Sequence, residues 1–361
     1  MKQGKLIVHV IDSLAVGGAE ILLRNTIILL PEYEHVVVYL RAPEDLKHTF
    51  PPGVRFHFLN YTGVINFIPT IVRLRGIIRT TKPCIVHSHL VVANFVARLA
   101  TPKSVPLLFS LHSVYSKDAF EKSRKILWLE RLSVRSYHSV VAVSKTVIKD
   151  YLQWVNFKGK KFVLYNFVRG SYFHPSHIKN EKTNELTCVA VGNLKELKNY
   201  RFLIEAFKKL KEDNIRLHIY GSGPLREELQ QEIDNHLLQI NLCGLIDDTS
   251  AVLPQYDLFI QASLHEGYSL AVMEALAMSL PTFVSDIPVL HEVTEDATHF
   301  FSLDSVDDFV RDIRKLQSDT ILRYKYYAIS SKIAEKNASA NVYLEKLKTI
   351  YKEVGNHGYL F

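Results

Sequence analysis

The chain has 361 residues, enough for two domains of ordinary size. Hydrophobic residues make up 47% and charged residues 22%, which fills ordinary cores and excludes a disordered chain. The net charge of +7 is unevenly spread: residues 1–170 hold 24 Lys and Arg against 10 Asp and Glu, residues 171–361 hold 20 against 27. The two halves are therefore expected to have different partners, the basic one an anionic membrane, a nucleic acid or an acidic substrate. No nucleic-acid-binding signature accompanies the charge, so nucleic acid is not expected, and the basic half reads as a surface for an anionic membrane or as one that only aids solubility. Cys84, Cys188 and Cys243 are scattered without a CxxC pair and read as small buried thiols of a reducing compartment. The chain moves directly into a strand-like run at 6–11 without a signal peptide, and no apolar run approaches the roughly 20 residues of a spanning helix. A cytoplasmic protein, either soluble or peripheral at the inner face of the membrane, is the expectation.

In chain order, apolar β-branched runs at 6–11, 36–40, 84–87, 107–111, 139–143 and 162–165 alternate with helical patterns. This alternation predicts an α/β fold with a doubly wound, mostly parallel sheet. A polar stretch at 169–184, rich in Ser, His, Asn and Lys, reads as an interdomain linker. A second series at 186–191, 216–220, 240–243, 258–262 and 281–284 predicts a second such sheet, and 341–354 reads as the last helix. Open parallel sheets bind ligands beyond the carboxyl ends of their strands. The motifs below all lie at such ends and are read as one site shared by two domains.

Gly17 and Gly18 follow the first strand, where a tight turn needs glycine on conformational grounds and a ligand reading stands beside it. The third glycine of a dinucleotide fingerprint is absent there, and Arg226 replaces it after Gly221 and Gly223, which weakens a dehydrogenase reading. His87 and His89 share one face of a strand, a spacing metals use. With no third ligand nearby in the pattern, they read as cleft lining and not as zinc ligands. His112 closes the strand at 107–111, where a lone histidine is usually structural. Lys198 sits in the turn between the strand ending at Val191 and an amphipathic helix bearing Phe202, Leu203, Ala206, Phe207 and Leu210. It reads either as a compact charge for a diphosphate or as a solvated loop lysine. Asp247 and Asp248 read as helix caps, and no metal is expected.

The richest stretch is 263–277. A strand ends before it, 264–268 reads as a loop, and a helix of strong formers starts at Ser269, a candidate N-cap. The open N–H groups of such a helix start suit a diphosphate, and Gly267 lets a ligand approach the backbone. Glu266 in the loop and Glu274 in the helix can then touch one ligand, carboxylates being suited to vicinal hydroxyls; the alternative is an ordinary acidic helix start. Glu345 and Glu353 have the same separation with neither loop nor glycine, and read as a solvated face.

The order and spacing of these motifs, together with those at 141–144, 165–168, 191–199 and 220–224, resembles the retaining glycosyltransferases of family 4 from about Lys5 to Lys352. The resemblance implies the GT-B fold, two Rossmann-like doubly wound domains facing across a cleft. It places an acceptor-binding domain at 1–170, a nucleotide-sugar-binding domain at 171–338 and a C-terminal helix at 339–361 crossing back to the first domain. It implies a nucleoside-diphosphate sugar as substrate, a UDP-sugar ahead of a GDP-sugar, a glycan or lipid-linked acceptor, and no cofactor. It makes His112, Lys198 and Glu266 the catalytic group, with His112 against the transferred sugar, Lys198 on the leaving phosphate and Glu266 orienting the sugar. Donor contacts then fall on Gly17, Gly18, Gly192, Asn193 and Lys198. Main chain at Gly244, Leu245 and Ile246 would read the base, Gly267, Tyr268, Ser269 and Leu270 the sugar and phosphate, and Glu274 the ribose.

One position departs from the family pattern: an arginine is expected five residues before the lysine, and Asn193 stands there, leaving Lys195 or Arg201 to supply the charge. Two stretches of the basic half mix aromatic and cationic residues. The first runs through 56–61 and 66–68 to Arg73, Arg75 and Arg79; the second, 120–138, carries Lys122, Arg124, Lys125, Trp128, Arg131 and Arg135. Each reads as a surface for an anionic bilayer or as the outer face of a sheet-covering helix. Two other functions share the architecture: a nucleotide-sugar-binding protein without transferase activity, and a nucleotide-sugar epimerase. A phosphorylase would be longer and need a pyridoxal-lysine context that is absent.

Overall fold

The computed structural model describes residues 5–173, 185–246, 248–295 and 297–355, so most of the linker stretch and Asp247 lie outside the described residues. The chain forms two compact units, Met1–Asn166 with Asn341–Phe361, and Phe167–Ala340.

The first unit is built on β1 (Leu6–Ile11), β2 (Glu34–Tyr39), β3 (Arg55–Phe58), β4 (Ile85–His89), β5 (Leu107–Leu111), β6 (Ser139–Ala142) and β7 (Lys160–Val163). Between them run α1 (Gly18–Ile28), α2 (Phe67–Thr81), α3 (Val91–Ala100), α4 (Arg124–Ser133) and α5 (Lys145–Trp154). All pairings are parallel, in the order β3-β2-β1-β4-β5-β6-β7. Helices cover both faces of such a sheet, so its central strands are buried along their length without alternation; Ile7, Val8, Val10 and Ile11 are all fully buried. The pattern missed β3, an edge strand whose residues are largely exposed, and stopped β4 two residues early at His87.

The second unit carries β8 (Leu186–Val191), β9 (Ile215–Tyr220), β10 (Ile240–Gly244), β11 (Leu258–Gln261), β12 (Thr282–Ser285) and β13 (His299–Phe301). Its helices are α6 (Tyr200–Lys209), α7 (Arg226–His236), α8 (Leu270–Ala277), α9 (Pro288–Thr294), α10 (Val306–Ser318) and α11 (Thr320–Ala338). The parallel order β10-β9-β8-β11-β12-β13 is the nucleotide-binding order of a Rossmann sheet. In both sheets the strand order reverses next to the first strand of the unit, between β1 and β4 and between β8 and β11. A crevice opens at that switch point.

The last helix, α12 (Ala340–Val354), packs within the first unit. Tyr343 Oη meets Thr26 Oγ1 at 3.0 Å, Tyr351 Oη meets Nδ1 of His87 at 2.8 Å, and Lys348 pairs with Glu32. Glu345 and Glu353 on this helix are exposed, the solvated face expected of them. All three cysteines are free, but only Cys188 is buried. Cys84 is half-buried and Cys243, on the edge strand β10, is exposed, so the expectation of buried thiols fails there. Among the described residues, no helix is long and apolar enough to cross a membrane.

One ion pair of the first unit is fully enclosed. Arg98 of α3 donates to both carboxylate oxygens of Glu130 of α4, Tyr151 Oη donates to Glu130 at 2.7 Å, and Arg98 Nε reaches Ser133 Oγ at 3.1 Å. Removing one member strands a buried charge. Glu130→Ala is therefore expected to cost about 3–5 kcal/mol in urea-denaturation experiments.

Candidate active site

At the switch point of the second unit, two turns pack backbone against backbone. A Cβ on Gly221 would lie 2.0 Å from the carbonyl oxygen of Gly192, so the turn after β9 can approach the turn after β8 only with glycine there. Leu194 N donates to Ser222 O at 3.0 Å across the same contact. This explains the Gly-Ser-Gly stretch without a dinucleotide.

The turn so fixed carries Lys198 at the end of a short 3-10 segment, Glu196–Lys198. Its Nζ donates to Glu266 Oε1 at 2.6 Å, and Ser263 Oγ donates to the same oxygen at 2.7 Å. Leu264 N donates to Leu197 O at 2.9 Å, tying the loop after β11 to the lysine turn. The lysine and glutamate side chains are only 18% and 11% exposed. The chain thus brings together two residues 68 apart in sequence for which the family resemblance implies neighbouring tasks.

α8 begins at Leu270, after Ser269 in the left-handed region at φ +68°. The expectation that Ser269 caps this helix is not met. Its left-handed backbone turns the hydroxyl inward, where it donates to Gln261 Oε1 at 2.7 Å, and it makes no capping hydrogen bond to the helix start. The first N–H groups of α8 are therefore left for a ligand or solvent. Tyr268 is buried, and its hydroxyl donates to Asn337 O at 3.0 Å, so only its main chain is open to the donor role expected of it.

Glu274, on the second turn of α8, is half-buried. Thr249 Oγ1 donates to its Oε2 at 3.0 Å, Tyr172 Oη meets Thr249 Oγ1 at 2.8 Å, and Arg169 pairs with Asp248 at 2.9 Å. Burial pushes the Glu274 carboxyl up to about 7, against the hydrogen bond from Thr249 and the charge of Arg169. Asp248 accepts from Ser250 N at 3.0 Å and caps a short 3-10 turn, as its position suggested.

Asn193 is exposed in the β8 turn. Arg201, one candidate to supply the charge of the missing arginine, is paired with Glu196 and Glu228. Lys195 is exposed, with no ion pair among the described residues. Gly244 ends β10 at φ +81°, followed by exposed Leu245 and half-buried Ile246.

In the first unit, Gly17 has extended backbone at φ −152°, and Gly18 opens α1 with nothing within 4 Å of the place a Cβ would take. Neither has a positive φ, so the turn itself does not require both glycines.

His112, half-buried at the end of β5, meets Nδ1 of His89 through its Nε2 at 3.2 Å, and burial lowers its pKa to about 4. The rings of His87 and His89 are 4.2 Å apart, and His87 Nε2 meets Ser110 Oγ at 2.8 Å. A third histidine, invisible in the spacing, stands beside them: His9 of β1, in register with His87, its ring 6.0 Å from that of His87 and 5.9 Å from that of His89. The expectation of no third ligand near His87 and His89 is corrected by this pairing of β1 with β4. Strong burial lowers the pKa of His9, His87 and His89 alike, so all three are neutral near pH 7.

Two family profiles account for most of the chain. Residues 16–169 match Glycosyltransferase Family 4 and residues 174–333 match Glycosyl transferases group 1. The chain is 28% identical over 63% of its length to the O-antigen chain mannosyltransferase RfbU of Salmonella typhimurium, covering 67% of that protein. It is 24% identical over 72% of its length to an Escherichia coli UDP-Gal:alpha-D-GlcNAc-diphosphoundecaprenol alpha-1,3-galactosyltransferase, covering 73% of that protein. In fold it is similar to Anabaena HepE, solved in complex with UDP and glucose, with TM-score 0.78, 16% identity, and 96% and 99% of the two chains covered. The fold is GT-B, two Rossmann-like parallel-sheet domains. The chain belongs to glycosyltransferase family 4.

Because Glu274 titrates near 7 in the folded protein, above its ordinary 4.5, its contribution to stability is full below pH 4.5 and is lost as pH rises through 7. Glu274→Gln removes that loss. Allowing for its half-exposed setting, the variant is expected to melt roughly 2–4 °C above the wild type at pH 8, the effect of about 1 kcal/mol, and level with it at pH 4.

Proposed function

We propose that this glycosyltransferase moves a sugar, with retention of anomeric configuration, from a nucleoside-diphosphate sugar to a glycan or lipid-linked acceptor. The observation that carries the reading is the contact of Lys198 with Glu266 beside the uncapped start of α8. In that setting the lysine and the helix N–H groups stabilise the departing diphosphate, and Glu266, in contact with Lys198, orients the sugar. Glu274 accepts from ribose hydroxyls, and main chain at Gly244–Ile246 meets the base. From the first unit, Gly17, Gly18 and His112 contribute substrate contacts; His112, neutral at working pH, hydrogen-bonds a sugar hydroxyl. The acceptor hydroxyl attacks from the face the diphosphate leaves and gives its proton to the departing phosphate. Catalysis is positioning and electrostatics, without a protein nucleophile.

A UDP-sugar is favoured over a GDP-sugar; UDP in HepE and the UDP-galactose donor named for the Escherichia coli relative support it. The diphosphoundecaprenol acceptor named for that relative supports a lipid-linked acceptor here. Asn193 in place of an arginine, with Arg201 engaged elsewhere, favours a second reading: a nucleotide-sugar-binding protein without turnover. Slow hydrolysis of one nucleotide sugar from a panel separates the two. Under the leading reading Lys198→Ala and Glu266→Ala each lower turnover by about 10²–10³-fold. Near-native kinetics in both variants would remove the assignment.

The same reading places the first unit on an anionic membrane surface. Val64 and Ile65 are 92% and 95% exposed just before α2, with Ile68 and Val72 exposed on it. On α4, Trp128 and Leu132 are exposed beside Lys125 and Arg131. Arg73 and Arg75 contribute less than their charge suggests, since their guanidinium groups hold the carbonyls of Leu59, Leu99 and Ala100. Exposed apolar side chains on a basic unit suit a bilayer interface. Wild-type protein is expected to co-sediment with vesicles containing phosphatidylglycerol and not with neutral ones. Ile65→Ser with Ile68→Ser is expected to weaken that binding about tenfold or more.

A further inference from the structure

We propose that His9, His87 and His89 form a buried binding site for one transition-metal ion of the kind imidazole prefers, Cu+ or Zn2+. One ring nitrogen from each lies within 4.8 Å of those from the other two. They line a cavity with Ser110, His112 and Asn166 whose volume is about 20 Å³, room for a single small guest.

The hydrogen bonds around the cavity determine which atoms are bare. His35 Nε2 lies 3.0 Å from Leu30 O, and a carbonyl only accepts, so that nitrogen carries the proton. The other nitrogen of neutral His35 then accepts, and at 3.2 Å its partner is His9 Nε2, which must donate. His9 Nδ1 is left with an unprotonated lone pair, buried and without a partner. His89 Nε2 and Asn166 Oδ1 are also buried without partners, while His89 Nδ1 is held by His112. Histidine ligands of metals typically have their second nitrogen anchored in this way, and for His9 the anchor runs through His35 to a backbone carbonyl. His87 has both nitrogens on hydroxyls, those of Ser110 and Tyr351. The Ser110 hydroxyl turns on one bond and is the partner that yields.

No carboxylate lines the cavity, so a monovalent ion is cheaper to bury than a divalent one, and Cu+ is favoured over Zn2+. None of the assigned steps of the transfer reaction uses His9, His87 or His89, and His112, which does take part in it, borders the same cavity.

The full chain, stripped with chelator, is titrated anaerobically with Cu+ and separately with Zn2+, each against a chromophoric competitor, and melted with and without one equivalent. The expected result is one equivalent bound, with a rise in Tm. At 100 times Kd of free ion the gain is about 2.7 kcal/mol. His9→Gln and His89→Gln, checked for native circular dichroism, are expected to lose at least about tenfold in affinity. Wild-type protein that binds neither ion and melts unchanged overturns the proposal and leaves a cavity that holds one water, whether or not the variants fold. Unchanged affinity in either folded variant also overturns it, since the ion then sits elsewhere.

Discussion

Parallel strands cannot be joined by a hairpin; each must be reached by a crossover, usually through a helix. When successive crossovers change direction, the two strands on either side of the reversal send their following turns apart and leave a crevice at their carboxyl ends. Both sheets of this chain reverse in this way, at β1–β4 and at β8–β11. Nearly every residue of chemical interest is placed by that constraint. Lys198 follows β8 and Glu266 follows β11; His9 lies on β1, His87 and His89 on β4.

The two crevices use the same geometry for different electrostatics. In the second unit the polar groups are charged and partly solvated: a lysine and a glutamate in contact, and a second glutamate held by a threonine near a tyrosine and an arginine. A charged ligand entering there exchanges one set of partners for another, and the uncapped helix start offers further donors without reorganisation. In the first unit the polar groups are imidazoles, deeply buried and kept neutral by that burial. Neutral rings can sit close together in such a place where carboxylates or ammonium groups could not.

Stability and function pull against each other at Glu274. Packing a carboxylate into α8 beside Thr249 raises its pKa to about 7 and costs the folded state free energy at neutral pH. A residue kept for stability alone would be an amide. The strained backbone at Ser269 is a second local cost, and it too sits at the carboxyl end of β11, where it opens the helix start. Departures from local preference gathered at one crevice are characteristic of a functional site.

Much of this was readable along the chain because it depends on local periodicity. Buried parallel strands are continuous apolar runs, so eleven of the thirteen strands stood out, and the loop–glycine–helix context separated Glu266 and Glu274 from the equally spaced Glu345 and Glu353. The short or exposed edge strands Arg55–Phe58 and His299–Phe301 did not, because their residues face too little core to show a pattern. The contact of Lys198 with Glu266 required β8 to pair with β11, and the third histidine required β1 to pair with β4. The inward turn of Ser269 and the binding of Arg201 by two glutamates were likewise set by side chains distant in sequence. Sequence alone determined the fold class and the family, since strand and helix periods and motif order are local. Only the tertiary structure decided which polar atoms meet and which are left bare, because hydrogen-bond partners are chosen by strand pairing and packing.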